Sequence, residues 1–311
     1  MEFFGVVIDS ISLTMSLTEK KIVSLTKLCK LALKDHVMTL RDLSKLVGKL
    51  ISTSAAITPC MLQVRHLQHL QIENQRTKSY EAKVKLDEKA RLELTWWVEN
   101  LRLRVGKPIM TETPDLVIYS DAATSGGWGA FCQGVSTGGQ WTALERAKHG
   151  KNINMLELMA AELAIKTFWR KHQQAKNIHI MIDNKTALSY LVKMGGTGSV
   201  QLMEKAKEIW AFLLDREIMI TAEYLPTDLN VEADWESRHV EDWSEWKLHP
   251  WLFEQICLTH GTPEVDLFAS RTSHQVPRYM SLKPDPQCIA VDALQQNWRQ
   301  GILYAFPPST S

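Results

Sequence analysis

No apolar run in this 311-residue chain approaches the ~18 residues that a membrane-spanning helix needs, and the N-terminus lacks the charged-then-apolar pattern of a signal peptide. Cysteine is scarce. Cys29, Cys60, Cys132, Cys257 and Cys288 are scattered, odd in number and never spaced Cys-x-x-Cys. That argues against a disulfide framework or a zinc site, and for reduced thiols in an intracellular protein. Nucleus and cytoplasm both stay open, because no localisation signal is evident. Charge of one sign is also missing: 36 Lys/Arg stand against 35 Asp/Glu, a net of +1, so the whole chain does not announce a polyanionic partner. The balance is uneven, however. Residues 1–105 hold 17 Lys/Arg against 11 Asp/Glu, a net of +6, which leaves about −5 for the remainder. A basic front beside an acidic site suggests a polyanion gripped in one part and cut, through metal, in another. An imbalance of this size over about a hundred residues is equally compatible with an ordinary solvated surface. Composition is that of soluble globular protein, 45% hydrophobic and 23% charged, with length for two or three domains. The chain opens on FFGVVI and stops on YAFPPSTS, and both ends read as cut from something longer.

Residues 3–15 have strand composition with a turn at Asp9-Ser10. A helix is expected from about Leu17 to Ala32. Thr39 caps a second, LRDLSKLVGKLIST, with Leu40, Leu43, Leu46, Val47 and Leu50 on one face. A third runs through Met61–Ile72 and a fourth through Leu86–Leu103. These stripes read as core. Residues 105–115, with Pro108 and Pro114, read as a linker. LVIYSDAATSGGWGAFCQG (116–134) gives a strand, a Gly-containing turn and a return strand. Gly138-Gly139 followed by QWTAL suggests a third, antiparallel strand. Asn154 caps a long helix, MLELMAAELAIKTFWRKHQQ. NIHIMIDN (177–184) is a short strand, apolar enough to be buried on both faces. KTALSYLVKM and VQLMEKAKEIWAFLLDRE are helices, IMITAEYLP is a fifth strand closed by Pro226, and NVEADWESR is a short helix. The order is β-β-β-α-β-α-α-β-α.

Four acids sit at matching ends of these elements. Asp121 ends the first strand, Glu157 lies in the first turn of the long helix, Asp183 ends the fourth strand and Asp234 sits in the short last helix. Alone, Asp121 reads as a solvated turn acid. An acid at the end of a central strand is costly to bury unless it is paired or metal-bound. In an α/β sheet the mouth where strand ends meet helix starts is the natural ligand site. Four carboxylates there would raise one another's pKa, a cost that divalent cations remove. All-oxygen ligand sets suit Mg²⁺ or Mn²⁺. Two such ions about 4 Å apart activate a water and stabilise the leaving oxygen of a phosphodiester. Glu162, Asp215, Glu223, Asp228, Glu232 and Glu236 read as solvated neighbours.

The element order and the four acids together resemble the ribonuclease H fold, an α/β architecture with a mixed five-stranded sheet and flanking helices. SDAATSGGWGAF is similar to its first catalytic strand pair, NMLELMAAELAI to its Glu-bearing helix, IMIDNKTAL to its second catalytic Asp and LPTDLNVEADWESR to the retroelement form of its last motif. The resemblance covers roughly residues 115–238. It implies catalytic, metal-binding acids at Asp121, Glu157, Asp183 and Asp234, two Mg²⁺ (or Mn²⁺) ions, and cleavage of the RNA strand of an RNA–DNA hybrid told apart by its 2′-hydroxyls. Two departures stand out. Tyr224 is nearest the place of a loop His found in many cellular members, and only GGTGSV stands where some members carry a basic protrusion. Phosphate grip then falls to Lys185, Arg238 and the Lys/Arg of residues 20–49.

The flanks resemble retroelement segments. FFGVVIDS…LTEKKI…TLRDLSKLVGKL is similar to the end of a reverse transcriptase, from primer-grip strand into helical thumb, which makes residues 1–104 a thumb-like and connecting helical segment. The Tyr-x-Asp-Asp polymerase turn is absent from the chain, so the resemblance places a polymerase part upstream, itself a candidate partner. No membrane partner is expected. Residues 239–311 resemble the region after ribonuclease H in tyrosine-recombinase (DIRS-type) retroelements, which looks like a truncated α/β methyltransferase module. Strands are expected near Val265–Phe268 and Gly301–Phe306, with Asp266 near the cofactor strand. Phe306-Pro307-Pro308-Ser309 lacks both the polar first residue and the aromatic last residue of the Asn/Asp-Pro-Pro-aromatic motif, so methyl transfer ranks last. The expectation is a degenerate tail packed on the nuclease domain, with Trp243, Trp246 and Trp251 as packing residues. The rival to the enzyme is a catalytically silent, transposon-derived remnant that binds nucleic acid or a protein. Four intact acids favour the enzyme; the missing polymerase core favours the remnant.

Overall fold

The computed structural model of the chain describes residues 1–103, 106–109, 113–240, 247–298 and 301–306. Trp243, Trp246, Pro307, Pro308 and Ser309 lie outside the described residues. Two compact units emerge, Met1–Thr113 with Lys193–Lys207, and Pro114–Val192 with Glu208–Ser311.

The first unit opens on strands β1 (Glu2–Phe3), β2 (Val6–Asp9) and β3 (Thr14–Leu17), the last two paired antiparallel around the expected turn. Helix α1 (Glu19–Asp35), strand β4 (Val37–Thr39), helices α2 (Leu40–Ile51) and α3 (Arg65–Gln75), strand β5 (Lys83–Lys85), helix α4 (Glu88–Asn100) and strand β6 (Lys107–Pro108) follow. Thr18, Thr39 and Asp87 each cap a helix by accepting a backbone N–H three residues on. The predicted stripe Leu40, Leu43, Leu46, Val47 and Leu50 is buried, packed in one core with Leu94 and Trp97. Helix α3 starts at Arg65 rather than Met61, because residues 59–64 turn back on themselves through bonds such as Leu62 N–H to the Pro59 carbonyl. The β4–β5 ladder pairs three residues with three, too few to leave an alternation signal in the sequence.

The second unit carries the sheet. Strands β7 (Leu116–Ala122), β8 (Gly127–Cys132) and β9 (Val135–Gln140) form an antiparallel meander. Helices α5 (Ala143–His149) and α6 (Ile153–Lys171) lead to strand β10 (Asn177–Ile182), and helices α7 (Lys185–Val192) and α8 (Val200–Asp215) lead to strand β11 (Met219–Tyr224). Helix α9 (Val231–Arg238) closes the series. Strand order is β11-β10-β7-β8-β9, with β10 parallel to both β7 and β11. Parallel neighbours require crossovers, and the helices supply them. This is the mixed five-stranded, ribonuclease H-like sheet that the sequence implied.

Three details depart from expectation. Helix α5 is an addition, and its signal was present as Thr142-x-x-Glu145, a reciprocal capping box. Helix α6 is capped by Asn152, two residues earlier than expected, which puts Glu157 in its second turn. Strand β10 is not buried on both faces: Ile178, Ile180 and Ile182 are buried, while His179 turns toward the edge strand and hydrogen-bonds Thr221 at 2.8 Å.

The tail belongs to the same unit as the sheet. Helix α10 (Pro250–His260) buries no residue, so Trp251, expected to pack, stays 62% exposed. Strands β12 (Val265–Asp266), β13 (Met280–Ser281), β14 (Ala290–Val291) and β15 (Leu303–Tyr304) are two residues each, all in parallel pairs. Among the described residues, side chains tie the tail to the sheet and to the helices beside it. Arg271 forks onto Glu145 at 2.8 and 3.0 Å and reaches the Gln140 carbonyl; Lys283 pairs with Glu236; Thr137 donates to the Pro284 carbonyl. Glu236, expected to be solvated, is therefore buried, held by Lys283 and by Ser136 at 2.9 Å. The Arg271–Glu145 pair is only slightly exposed and bidentate. Arg271→Met should cost about 2–4 kcal/mol by stranding the Glu145 carboxylate, read as a shift in the denaturation midpoint. An unchanged midpoint would show that the tail is not fastened there.

Candidate active site

The site begins with strand register. Ile182 of β10 lies beside Ser120 of β7 in a parallel pair, so Asp183 and Asp121, each one residue further on, emerge side by side. Asp183 occupies the strand-to-helix turn, and the next residue, Asn184, caps α7 by accepting the Ala187 N–H at 2.9 Å. The Thr227 hydroxyl donates to Asp183 at 2.8 Å. Glu157 approaches from α6, which packs across β7.

Helix α9 reaches the site through glycine. Gly129 is the cross-strand partner of Asp121. A Cβ at Gly129 would lie 2.0 Å from the Ala233 carbonyl oxygen and 2.5 Å from the Ser237 nitrogen. The helix backbone therefore rests on the strand backbone, where any side chain would hold it off. That seat lets the Ser237 hydroxyl donate to Asp121, while Asn230, just before the helix, donates to the Ser120 carbonyl at 3.0 Å.

Three of the four expected acids converge. Asp121 and Glu157 are each 3% exposed, Asp183 is half-buried, and one carboxylate oxygen from each lies within 4.8 Å of the others. Burial, then the charges of Asp183 and Asp121, push the Glu157 carboxyl up to about 10. Burial also pushes Asp121 up, to about 6; the Ser237 hydrogen bond opposes this, while Asp183 and Asp234 add to it. Oε2 of Glu157 is buried with no hydrogen-bond partner. Buried like charges and an orphaned carboxylate oxygen are unfavourable for the protein alone and favourable for a hard cation, which takes oxygen ligands at about 2.0–2.6 Å. The donor set thus fits Mg²⁺ or Mn²⁺.

Asp234 stands just outside that trio. Its Oδ1 takes Nε and Nη2 of Arg238, both at 2.7 Å, one turn along α9. Arg238, expected to grip phosphate, commits two of its donors to this acid. Lys185, another expected phosphate ligand, is exposed with its ammonium 5.0 Å from the centre of the Tyr224 ring. Three polar residues had no assigned role in the sequence: Thr227, Asn230 and Ser237. Asn230 and Ser237 had a readable signal, as the Asn before and the Ser after the Ala-Asp of the motif LPTDLNVEADWESR; Thr227 had none. Asp266 is buried, and its carboxylate accepts the N–H groups of Phe268 and Gln275, so it serves the tail's own loop.

No protein-family model matches the chain, and no curated protein matches it in sequence. Among solved structures it overlaps LC11-RNase H1, isolated from compost by a metagenomic approach, at 16% identity and a TM-score of 0.29, covering 39% of this chain and 91% of that one. It overlaps the foamy viral protease-reverse transcriptase in complex with RNA/DNA hybrid at 14% identity and a TM-score of 0.30, over 78% of this chain and 30% of that one. The same viral protein in complex with dsDNA gives 14% identity and 0.29, over 73% and 45%. The chain thus spans less than half of those viral chains. Likeness this loose adds nothing to the assignment. Strand order, parallel crossovers and the placement of β7, β10 and α6 around one carboxylate trio define a ribonuclease H-like domain.

Proposed function

We propose that the chain hydrolyses the RNA strand of RNA–DNA hybrids as part of a retrotransposon reverse-transcriptase polyprotein, DIRS-type by the motifs of its flanks. The proposal places its action inside the cell, beside a polymerase part of the same polyprotein. The observation that carries it is the convergence of buried Asp121 and Glu157 with half-buried Asp183, with an unpartnered Glu157 oxygen at the mouth between β7 and β10.

Asp121, Glu157 and Asp183 would hold the divalent cations, with Asp234 completing the set by giving up Arg238. Bound Mg²⁺ or Mn²⁺ supplies charge neutralisation, an activated water and stabilisation of the leaving oxygen. The chain's own residues prepare the place. The Ser237 and Thr227 hydroxyls fix one oxygen each of Asp121 and Asp183, leaving the other oxygens to converge. Arg238 sits beside the acids with donors left over, where a scissile phosphate would meet a guanidinium. Selection of RNA rests on 2′-hydroxyl contacts.

The test is cleavage of an end-labelled RNA–DNA hybrid in Mg²⁺ or Mn²⁺. Wild type should cut the RNA strand only, and Asp183→Asn should lose about a hundredfold to a thousandfold in rate, the scale of removing one preorganised charge-stabilising group. A folded wild-type protein that binds the hybrid without cutting would overturn the enzyme and leave a binding remnant.

A further inference from the structure

We propose that the second unit holds a binding cavity for a small, uncharged, fused-ring molecule that brings hydrogen-bond acceptors and no donors. The cavity, about 330 Å³, lies where the tail packs on β8, β9 and α9. A space of that size takes a small organic ligand. Every residue lining it belongs to this one unit. Trp128, Val240, Leu267, Phe268, Leu282 and Leu294 make the wall mainly apolar. Such a wall with two aromatic residues in it favours a ring compound.

The polar groups fix the ligand's chemistry. Among the described residues, Nε1 of Trp128 and Nε of Arg271 are buried with no hydrogen-bond partner, and Trp128 is 1% exposed. Both atoms are donors, and a buried donor without an acceptor is unfavourable. The acids in the wall are already supplied. Glu236 accepts from Ser136 and Lys283, Asp285 from Tyr279, Gln287 and Arg271, and Asp292 from Leu294 and Gln295, so that each of their oxygens takes at least one hydrogen bond. The unmet need is for acceptors. Charge decides the rest. Arg271 is paired with Glu145 and Lys283 with Glu236, which leaves Asp285 and Asp292 to make the wall negative when His239 is neutral. An anion would be repelled there. An ammonium would bring further donors to a wall whose unmet groups are donors already. An uncharged ring carrying carbonyl or ether oxygens meets both conditions. Gly139, in the wall, leaves the Trp128 donor open to approach. A Cβ there would lie 3.2 Å from Nε1 and, apart from its chain neighbours, would meet only the Trp128 ring. The cavity contains none of Asp121, Glu157 and Asp183, so it stands or falls independently of the proposed hydrolysis.

The test is a titration of the ¹⁵N-labelled full chain with coumarin, an uncharged bicyclic lactone with two acceptor oxygens and no donor. The Trp128 indole N–H signal is identified by its loss in Trp128→Phe, which keeps an aromatic ring and removes the donor. If that variant does not fold, Gly139→Ala identifies the signal by shifting it in the ligand-free protein. Coumarin should move the Trp128 signal downfield and saturate it, with a dissociation constant of about 1 mM or tighter, the ordinary efficiency for a ligand of this size. Indole, which has a donor and no acceptor, and coumarin-3-carboxylate, which adds a negative charge, should each bind at least about fivefold more weakly. Gly139→Ala, with its methyl against Nε1, should weaken coumarin by a similar factor. A Trp128 signal unmoved by coumarin would overturn the site, and so would full affinity in Gly139→Ala. Indole binding as well as coumarin would overturn the need for acceptors. Tighter binding of coumarin-3-carboxylate, or of the cation S-adenosylmethionine, would overturn the choice of an uncharged ligand.

Discussion

Glu157→Gln should make the metal-free protein more stable at pH 8 and, in the same stroke, remove its stabilisation by Mn²⁺ and its cleavage of the hybrid. The stability gain follows from proton linkage. In the folded chain Glu157 is raised from 4.5 to about 10, by burial first and then by the charges of Asp183 and Asp121. A carboxylate whose folded value lies above its unfolded value contributes most below the unfolded value. That contribution is lost as pH rises toward the folded value, by about 1.4 kcal/mol per pH unit for one linked proton. Asp121, raised from 3.8 to about 6, acts in the same direction over a lower window. In EDTA, wild type should therefore melt at a higher temperature at pH 5 than at pH 8, and Glu157→Gln should flatten that dependence. With Mn²⁺ at a hundred times its dissociation constant, wild type should recover about 2.7 kcal/mol and the variant much less. Paired melting curves in EDTA and in Mn²⁺ at the two pH values decide it. A wild type indifferent to both pH and Mn²⁺ would mean that the trio is an ordinary acidic surface.

The acids were legible because the chemistry repeats the geometry. An acid at the end of an apolar strand needs only the strand to be real, and β7 and β10 are real because LVIYS and IHIMI have no other place to go; Asp121 falls one residue before the end of β7 and Asp183 one residue after the end of β10. Parallel pairing then sets Asp121 and Asp183 level without any further instruction. Glu157 was legible by the same logic one layer out, although its cap was misplaced by two residues, since Asn152 and Asn154 are equally good caps in sequence. What could not be read was the state of Asp234. Its partner Arg238 is four residues on, a spacing that suits an exposed ion pair as well as a phosphate grip. Glu236 was misread for a related reason: it looks like a surface acid of a short helix, and its burial is offset by partners far away in sequence, Lys283 and Ser136. The tail hid its role altogether. Its strands are two residues long, and its links to the rest of the unit are single groups, the Arg271 and Lys283 side chains and the Pro284 carbonyl, with no periodicity behind them.

Gly129→Ala should be among the most damaging single methyls at the described glycines. The added carbon would meet the Ala233 oxygen at 2.0 Å, the Ser237 nitrogen at 2.5 Å and the Glu236 carbonyl carbon at 3.0 Å, all backbone atoms of α9. No flexible side chain is available to yield, so either the helix moves off β8 by about 1 Å or more, or the strand bends; overpacking of this kind costs about 3 kcal/mol. Gly134 makes the comparison. It carries a φ of +80°, where alanine is strained, but a Cβ there has nothing within 4 Å. Gly134→Ala should cost only about 1 kcal/mol of backbone strain. The steric term at Gly129 thus outweighs the conformational term at Gly134, and melting temperatures should fall by roughly 6–12 °C against roughly 2–4 °C. Displacing α9 also withdraws the Ser237 hydroxyl from Asp121 and shifts the Asp234–Arg238 pair, so cleavage should be lost even at temperatures where Gly129→Ala remains folded. Far-UV circular dichroism beside the hybrid assay separates the two losses. A Gly129→Ala protein that melts with wild type and still cuts would show that α9 does not rest on β8, and that Ser237 does not orient Asp121.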